Sequence, residues 1–276
     1  MSPNNQILHG DCVDGMARLP EACIPLATTS PPYDQMFNFG GHLFDFEKFK
    51  LVAAQLWRIL MVGGVLCWEI KDQYRNGFSG TKYRQVVHFQ ELGFRLHDEL
   101  FIKNAGITHH STRHPEQVHM LYVLSKGKPR TYHPIEDRLN KTAGDKQKLY
   151  RRYADGRKRV WKSPTGVVPV WGLRTHLWEI LSGYKHTAQD DLEGFPAPMA
   201  ESLASDLIAT YSNFGDLVFD PFSGIGTTAK MALLGHRDYL GFEIHKPYYE
   251  QRLRRLKRAK YKHQQLLDDF LMGGGA

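Results

Sequence analysis

Residues 217–243 read LVFDPFSGIGTTAKMALLGHRDYLGFE. A short apolar run closes on Asp220, as a buried strand does. The turn Pro221-Phe222-Ser223-Gly224-Ile225-Gly226 follows, then helix-forming residues from Thr227 to Leu234, then a second strand, YLGFE. Strand, glycine loop, helix and strand in this order form one βαβ unit, the building block of a parallel sheet. The glycines let the backbone turn sharply and approach a ligand closely. Glu243 stands 17 residues beyond Gly226, at the end of the second strand. An acid there accepts hydrogen bonds from ribose hydroxyls. The spacing Gly224-x-Gly226-x-x-Ala229 also fits a nicotinamide-dinucleotide fingerprint. The loop alone therefore indicates a nucleoside-containing cofactor and leaves open a dinucleotide or S-adenosylmethionine.

Working outward, the same alternation recurs. NQILHGD (5–11) and IPLATT (24–29) read as strands around a short helix, and FEKFKLVAAQLWRILMVGG has helical spacing at Phe49, Val52, Leu56 and Leu60. Gly63-Gly64 is expected to end that helix. VLCWEI, LHDELFIK and HMLYVLSKG are further strands, and ESLASDLIATYS is a helix before the glycine loop. Trp57, Trp68 and Trp178 fall within apolar periodicities and are expected in the core. Strands alternating with helices predict an α/β fold with a mainly parallel sheet, in which ligands bind beyond the carboxyl ends of the strands.

Between about Ser125 and Lys185 the periodicity dissolves, which suggests an insertion or small subdomain (125–185) within a main domain made of 1–124 and 186–276. The chain's formal charge of +7 is concentrated here: residues 126–162 hold thirteen Lys and Arg against four acids, a net +9, so the remainder sums to −2. Such a cluster favours a polyanion through counterion release. The basic C-terminal helix, with Arg252, Arg254, Arg255, Lys257 and Arg258, is expected to be a solvated face with some DNA or partner contact. The N-terminus lacks the basic-then-apolar pattern of a signal peptide. With the three cysteines expected to be reduced thiols, the cytoplasm, in association with the nucleoid, is the expected location. No membrane partner is expected. The histidines around 109–119 fit no standard zinc spacing, so no metal is expected.

The remaining signal is Ser30-Pro31-Pro32-Tyr33, where a strand should end. A Pro-Pro pair holds a rigid extended turn and leaves carbonyl groups free to accept hydrogen bonds. Ser30 adds a hydroxyl acceptor and Tyr33 a flat face. A planar base with an exocyclic NH2 fits that arrangement, donating to Ser30 and to the Pro31 carbonyl and stacking on Tyr33.

TSPPY together with DPFSGIGTT resembles the S-adenosylmethionine-dependent DNA amino-methyltransferases. Their order, catalytic motif first and cofactor loop last with a variable segment between, is similar to the beta class. The resemblance implies a circularly permuted class I methyltransferase: a Rossmann-like, seven-stranded, mainly parallel sheet with a basic target-recognition insertion. It implies S-adenosylmethionine as cofactor, double-stranded DNA as partner, and methyl transfer to the exocyclic amine of a flipped base. It gives Ser30, Pro31, Pro32 and Tyr33 catalytic roles. It places Asp11, Asp220, Pro221, Phe222, Ser223, Gly224, Gly226, Thr227, Thr228 and Glu243 at the cofactor, with Asp11 near its adenine; a helix N-cap is the alternative reading of Asp11. Candidate DNA contacts are Lys103, Arg113, Arg151, Arg152, Arg157, Lys158 and Arg159. Serine at the first motif position favours N4 of cytosine, with N6 of adenine as the alternative. Carbon-5 methylation needs a cysteine nucleophile, which in the known enzymes follows a proline; no Pro-Cys pair occurs. A nicotinamide-dependent oxidoreductase and a non-catalytic DNA-binding module are the rival classes. A cognate restriction endonuclease and a second copy of the chain are the candidate protein partners.

Overall fold

The computed structural model describes residues 5–32, 41–74, 77–108, 113–146, 149–161, 166–180, 195 and 198–273. The chain divides into two compact units, Met1–His133 with Trp178–Ala276, and Pro134–Leu177.

In the first unit, β1 (Gln6–His9), α1 (Cys12–Ala17), β2 (Ile24–Thr29), α2 (Phe46–Ile59), β3 (Leu60–Ile70), α3 (Thr81–Glu91), β4 (Arg95–Thr108) and β5 (Glu116–Ser125) precede the second unit. There β6 (Arg138–Leu139) pairs antiparallel with β9 (Trp171–Gly172), and β7 (Leu149–Arg152) with β8 (Lys158–Trp161). The chain then runs through β10 (Leu177–Ile180), α4 (Glu201–Tyr211), β11 (Leu217–Asp220), α5 (Thr227–Leu234), β12 (Asp238–Glu243) and α6 (Lys246–Gly273). Among the described residues, no helix is long and apolar enough to cross a membrane.

Among the described residues the main sheet has eight strands, in the order β1-β12-β11-β2-β3-β5-β4-β10. The contiguous run β1-β12-β11-β2-β3 is parallel, and β3-β5 and β5-β4 are antiparallel. The expected α/β, mainly parallel architecture is present. The strand count differs from seven because β10 adds at the edge beside β4. Parallel strands covered on both faces need continuous apolar runs; β2 is buried along its whole length and β3 from Gly63 onward.

An apolar cluster packs the helices against the sheet. Phe49, Val52 and Leu56 of α2 fall on one side of the helix and meet Trp68, Phe89, Phe219 and Leu240. Asp45 caps α2, its carboxylate accepting from the Lys48 amide at 2.8 Å. Of the tryptophans expected in the core, Trp68 and Trp178 are buried and Trp57 is half-buried against Phe94.

Two expectations are corrected. Gly63-Gly64 does not end α2, which stops at Ile59; the pair lies inside β3. Gly63 has φ +81°, and a Cβ on Gly64 would come within 3.0 Å of Leu60, Met61 and Ile24 atoms. The β2–β3 register slips here, Ile24 facing Leu60 but Leu26 facing Val65. The glycines thus serve a β-bulge. Nor is α6 a uniformly solvated face: Arg254, Lys257 and Arg258 are exposed, but Arg252 and Arg255 are buried. Arg255 hydrogen-bonds the Ile225 carbonyl and Thr227 Oγ1, each at 3.1 Å, and pairs with Glu201.

Candidate active site

The carboxyl ends of β1, β2, β11 and β12 converge, and the segments leaving them line one cavity of about 330 Å³. Glycine at position 224 (φ +49°) permits the turn after β11. Its amide donates to Glu243 Oε2 at 2.7 Å, while the His245 amide donates to Glu243 Oε1 at 2.7 Å. The carboxylate is thus aimed by two backbone donors at the end of β12. Burial raises its pKa; the two amides and the charge of Arg252 work against that rise.

Asp11 both caps α1 and lines the cavity, so the two sequence readings are compatible. Its Oδ1 accepts from the Val13 amide at 2.7 Å and its Oδ2 pairs with Lys48 Nζ at 2.6 Å. Burial acts to raise its pKa, but Lys48 and the amide outweigh it and the carboxyl titrates below its ordinary value.

The two sequence motifs are tied together through Asp220. This fully buried carboxylate accepts from Thr29 Oγ1 at 2.6 Å, just before Ser30, and from the Phe222 amide at 3.0 Å. Burial pushes its pKa up to about 6 against the opposing hydrogen bonds of Thr29, Thr228 and Phe222. Ser30, Pro31 and Pro32 line the same cavity as Gly224 and Glu243. Tyr33 lies outside the described residues.

The other expected cofactor residues divide. Pro221 and Phe222 line the main cavity, with Phe222 edge-on to Phe44 at 5.1 Å. Asp220, Ser223, Thr227 and Thr228 line a smaller cavity of about 30 Å³, which Ser30 and Gly224 also border. Gly226 lines neither. It has φ +78° at the start of α5, and a Cβ there would approach Arg252 Cγ at 3.1 Å.

The glycine loop uses its own amides. Phe222 donates to Asp220, Ser223 to the Phe242 carbonyl, Gly224 to Glu243 and Gly226 to the Ser223 carbonyl. A diphosphate-binding loop needs such amides turned toward the anion, so these four do not form a cradle for a dinucleotide. The cavity offers instead two carboxylates, Asp11 and Glu243, among aromatic walls from Phe44, Phe195, Phe222 and Phe242. Lys48, paired with Asp11, also borders the cavity; the carboxylate acceptors and flat apolar surfaces fit a nucleoside with hydroxyl and amino donors.

Sequence reasoning missed a buried pair. Glu69 follows Trp68, the register partner of Thr29, near the carboxyl end of β3. Its Oε1 meets His119 Nε2 at 2.5 Å, and its Oε2 has no hydrogen-bond partner among the described residues. These residues are 50 positions apart in sequence; no local pattern joins them. Among the described residues no cluster of His, Cys, Asp and Glu is arranged to hold a metal ion.

The candidate DNA contacts lie elsewhere. Lys103 pairs with Glu179 at 2.7 Å, and Arg113 with Glu116 at 3.4 Å. In the second unit, Arg151 is in register with Arg159 and Arg152 with Lys158 across the β7–β8 pair. Arg157 is exposed near Asp155.

A family profile described as DNA methylase matches residues 24–254. The orphan methyltransferase M.BamHII of Bacillus amyloliquefaciens is 37% identical over 251 residues, covering 89% of this chain and 93% of that protein. Among solved structures, the cytosine-N4-specific PvuII DNA methyltransferase aligns with a TM-score of 0.64 at 18% identity, over 97% of this chain and 94% of that one. The putative DNA modification methylase TTHA0409 of Thermus thermophilus, complexed with S-adenosyl-L-methionine, aligns with a TM-score of 0.57 at 23% identity, over 91% and 94%. The structural likenesses establish a shared fold.

Proposed function

The chain belongs to the DNA methylase family, and from that premise we propose that it methylates N4 of a cytosine flipped out of duplex DNA. S-adenosylmethionine is the methyl donor; when bound it supplies an electrophilic methyl group on a sulfonium. The observation that carries the reading is the shared cavity, where Ser30, Pro31 and Pro32 meet Gly224 and Glu243.

Glu243, held by two amides, accepts the ribose hydroxyls with its remaining lone pairs. Asp11 accepts from the adenine amino group, and the phenylalanine walls take the flat ring. An exocyclic amine is a weak nucleophile because its lone pair is delocalised into the ring. Ser30 Oγ and the Pro31 carbonyl accept its two N–H bonds and favour a more pyramidal nitrogen. These acceptors are set by folding before the base arrives, so the acceleration comes from positioning and preset dipoles. Extrusion of the base costs a few kcal/mol; stacking on Tyr33 returns about 1–3 kcal/mol of it.

The segment 125–185 is the proposed target-recognition region. Like charges directly opposite one another in a β-ladder repel, and the pairs Arg151–Arg159 and Arg152–Lys158 are such positions. A DNA backbone relieves that repulsion. Arg157 extends the same basic set. Lys103 and Arg113 contact DNA only by exchanging their carboxylate partners for phosphate. A cognate restriction endonuclease, a second copy of this chain and a nucleoid location complete the proposal; co-purification, sedimentation and imaging test them in turn.

The experiment is methylation of duplex DNA followed by nucleoside mass spectrometry. N4-methylcytosine is expected. N6-methyladenine alone would transfer the same mechanism to adenine and overturn the base assignment.

A further inference from the structure

Three large aromatics stand exposed on the loop that leaves β3: Tyr74 at 41%, Phe78 at 53% and Tyr83, at the start of α3, at 60%. β3 runs parallel to β2 with Trp68 opposite Thr29. The loop therefore departs from the same end of the sheet as Ser30. Exposed rings are ordinary when scattered singly; a group of three at one edge marks a contact surface.

The group is held rigidly. Tyr74 and Phe78 form a bridge and meet edge to face at 5.3 Å. Buried Asp72 accepts from the Lys82 amide at 3.0 Å and from Ser79 Oγ at 3.3 Å, and the Ser79 amide donates to the Gln73 carbonyl at 2.9 Å. The Arg113 guanidinium lies over Tyr74 at 4.4 Å and Phe78 at 5.1 Å; Lys82 Nζ lies over Tyr83 at 5.0 Å. Both cations have carboxylate neighbours, Glu116 and Asp72. They brace the rings more than they offer free charge. A surface meant for phosphates would leave its cations unmatched; here the cations are paired with carboxylates, and the three rings, each with a cation over it, still expose 41–60% of their surface.

We propose that Tyr74, Phe78 and Tyr83 form a stacking platform for DNA bases left unpaired beside the catalytic pocket. The proposal rests on the chain acting on DNA. Flipping one base leaves its former partner unpaired and its neighbours unstacked. Preordered rings receive such bases at little ordering cost and without regard to sequence, since every base has a π face.

The test is fluorescence anisotropy of the full-length protein with labelled single-stranded oligothymidine and with fully paired duplex, at two salt concentrations. The variants are Phe78→Ala, Tyr83→Ala and the double variant, all at exposed positions, with Phe78→Trp as the conservative control. Loss of single-strand affinity is expected to be roughly fivefold or more per ring removed. Phe78→Trp should retain it, the salt slope should not change, and S-adenosylhomocysteine should bind as in the parent. Unchanged single-strand affinity in the double variant would overturn the platform. So would a changed sedimentation coefficient with DNA binding intact, which would make the rings a protein interface. If the parent methylates DNA, those failures touch the platform alone; if the parent neither binds nor methylates DNA, the methyltransferase reading falls as well.

Discussion

The two units differ in how some of their charges are matched. Around the glycine loop, charged groups are buried and matched within the fold. Glu201 on α4 pairs with Lys230 of α5 at 2.8 Å and with Arg255 of α6, which also hydrogen-bonds Ile225 of the loop and Thr227 at the start of α5. In the unit Pro134–Leu177, basic residues stand opposite one another in the β7–β8 ladder. A buried, hydrogen-bonded ion group fixes geometry and loses much when one member is removed. Like charges directly opposite one another in a ladder are destabilising. The ion group beside the glycine loop is thus matched within the fold, whereas the β7–β8 register sets basic positions opposite one another.

The largest test of that contrast is Glu201→Gln. It leaves Lys230 and Arg255 buried without their anion, and unfolding in urea should show a loss of about 3–5 kcal/mol. A loss below about 1 kcal/mol, the scale of an exposed pair, would collapse the contrast. Asp220 provides a second test. Burial raises its folded pKa to about 6 from an ordinary value of 3.8. The protonated form is therefore the favoured one in the fold. Its contribution is fully present below about pH 4 and is lost as pH rises through about 6, a change of roughly 2–3 kcal/mol. Asp220→Asn keeps an acceptor for Thr29 and Phe222 and should flatten the unfolding free energy of the parent between these pH values.

Ser30→Ala should lower kcat by about 100-fold, the scale of removing one preset polar group from a reacting centre. S-adenosylhomocysteine affinity, read by calorimetry, should stay within about twofold, since Glu243 and Gly224 are untouched. Unchanged turnover would remove Ser30 from the chemistry. The smallest effect sharpens the other side. Replacing Arg151, Arg152, Lys158 and Arg159 by Gln should weaken duplex binding by roughly tenfold at moderate salt and lower the salt slope by about 1 for each phosphate no longer neutralised. Stability should be equal or slightly higher, because repulsion is removed.

Much of the site is legible in the sequence because it is local. The βαβ unit around residues 217–243 carries its strand, turn, helix and acid within 27 positions, and α5 begins at Thr227 as its composition indicates. Ser30-Pro31-Pro32 is readable because proline limits the backbone by itself. The glycine pair at 63–64 misleads because glycine serves a helix end and a β-bulge equally well. Only the slipped register against β2 distinguishes the two. Arg252 and Arg255 mislead because three-residue spacing reveals a helix face but not what covers it.

The sequence by itself determined the α/β class, the glycine loop between strand and helix, the order of the two motifs and the place of the positive charge. Each depends on neighbours in the chain or on residue types with few conformations. The tertiary structure alone decided which carboxylates face the cavity and which brace it, that Arg252 and Arg255 are internal, that Glu69 meets His119, and that an eighth strand closes the sheet edge. Those outcomes depend on contacts between residues from tens to about two hundred positions apart, such as Thr29 with Asp220. Burial and hydrogen bonding at that range arise only when the sheet has assembled.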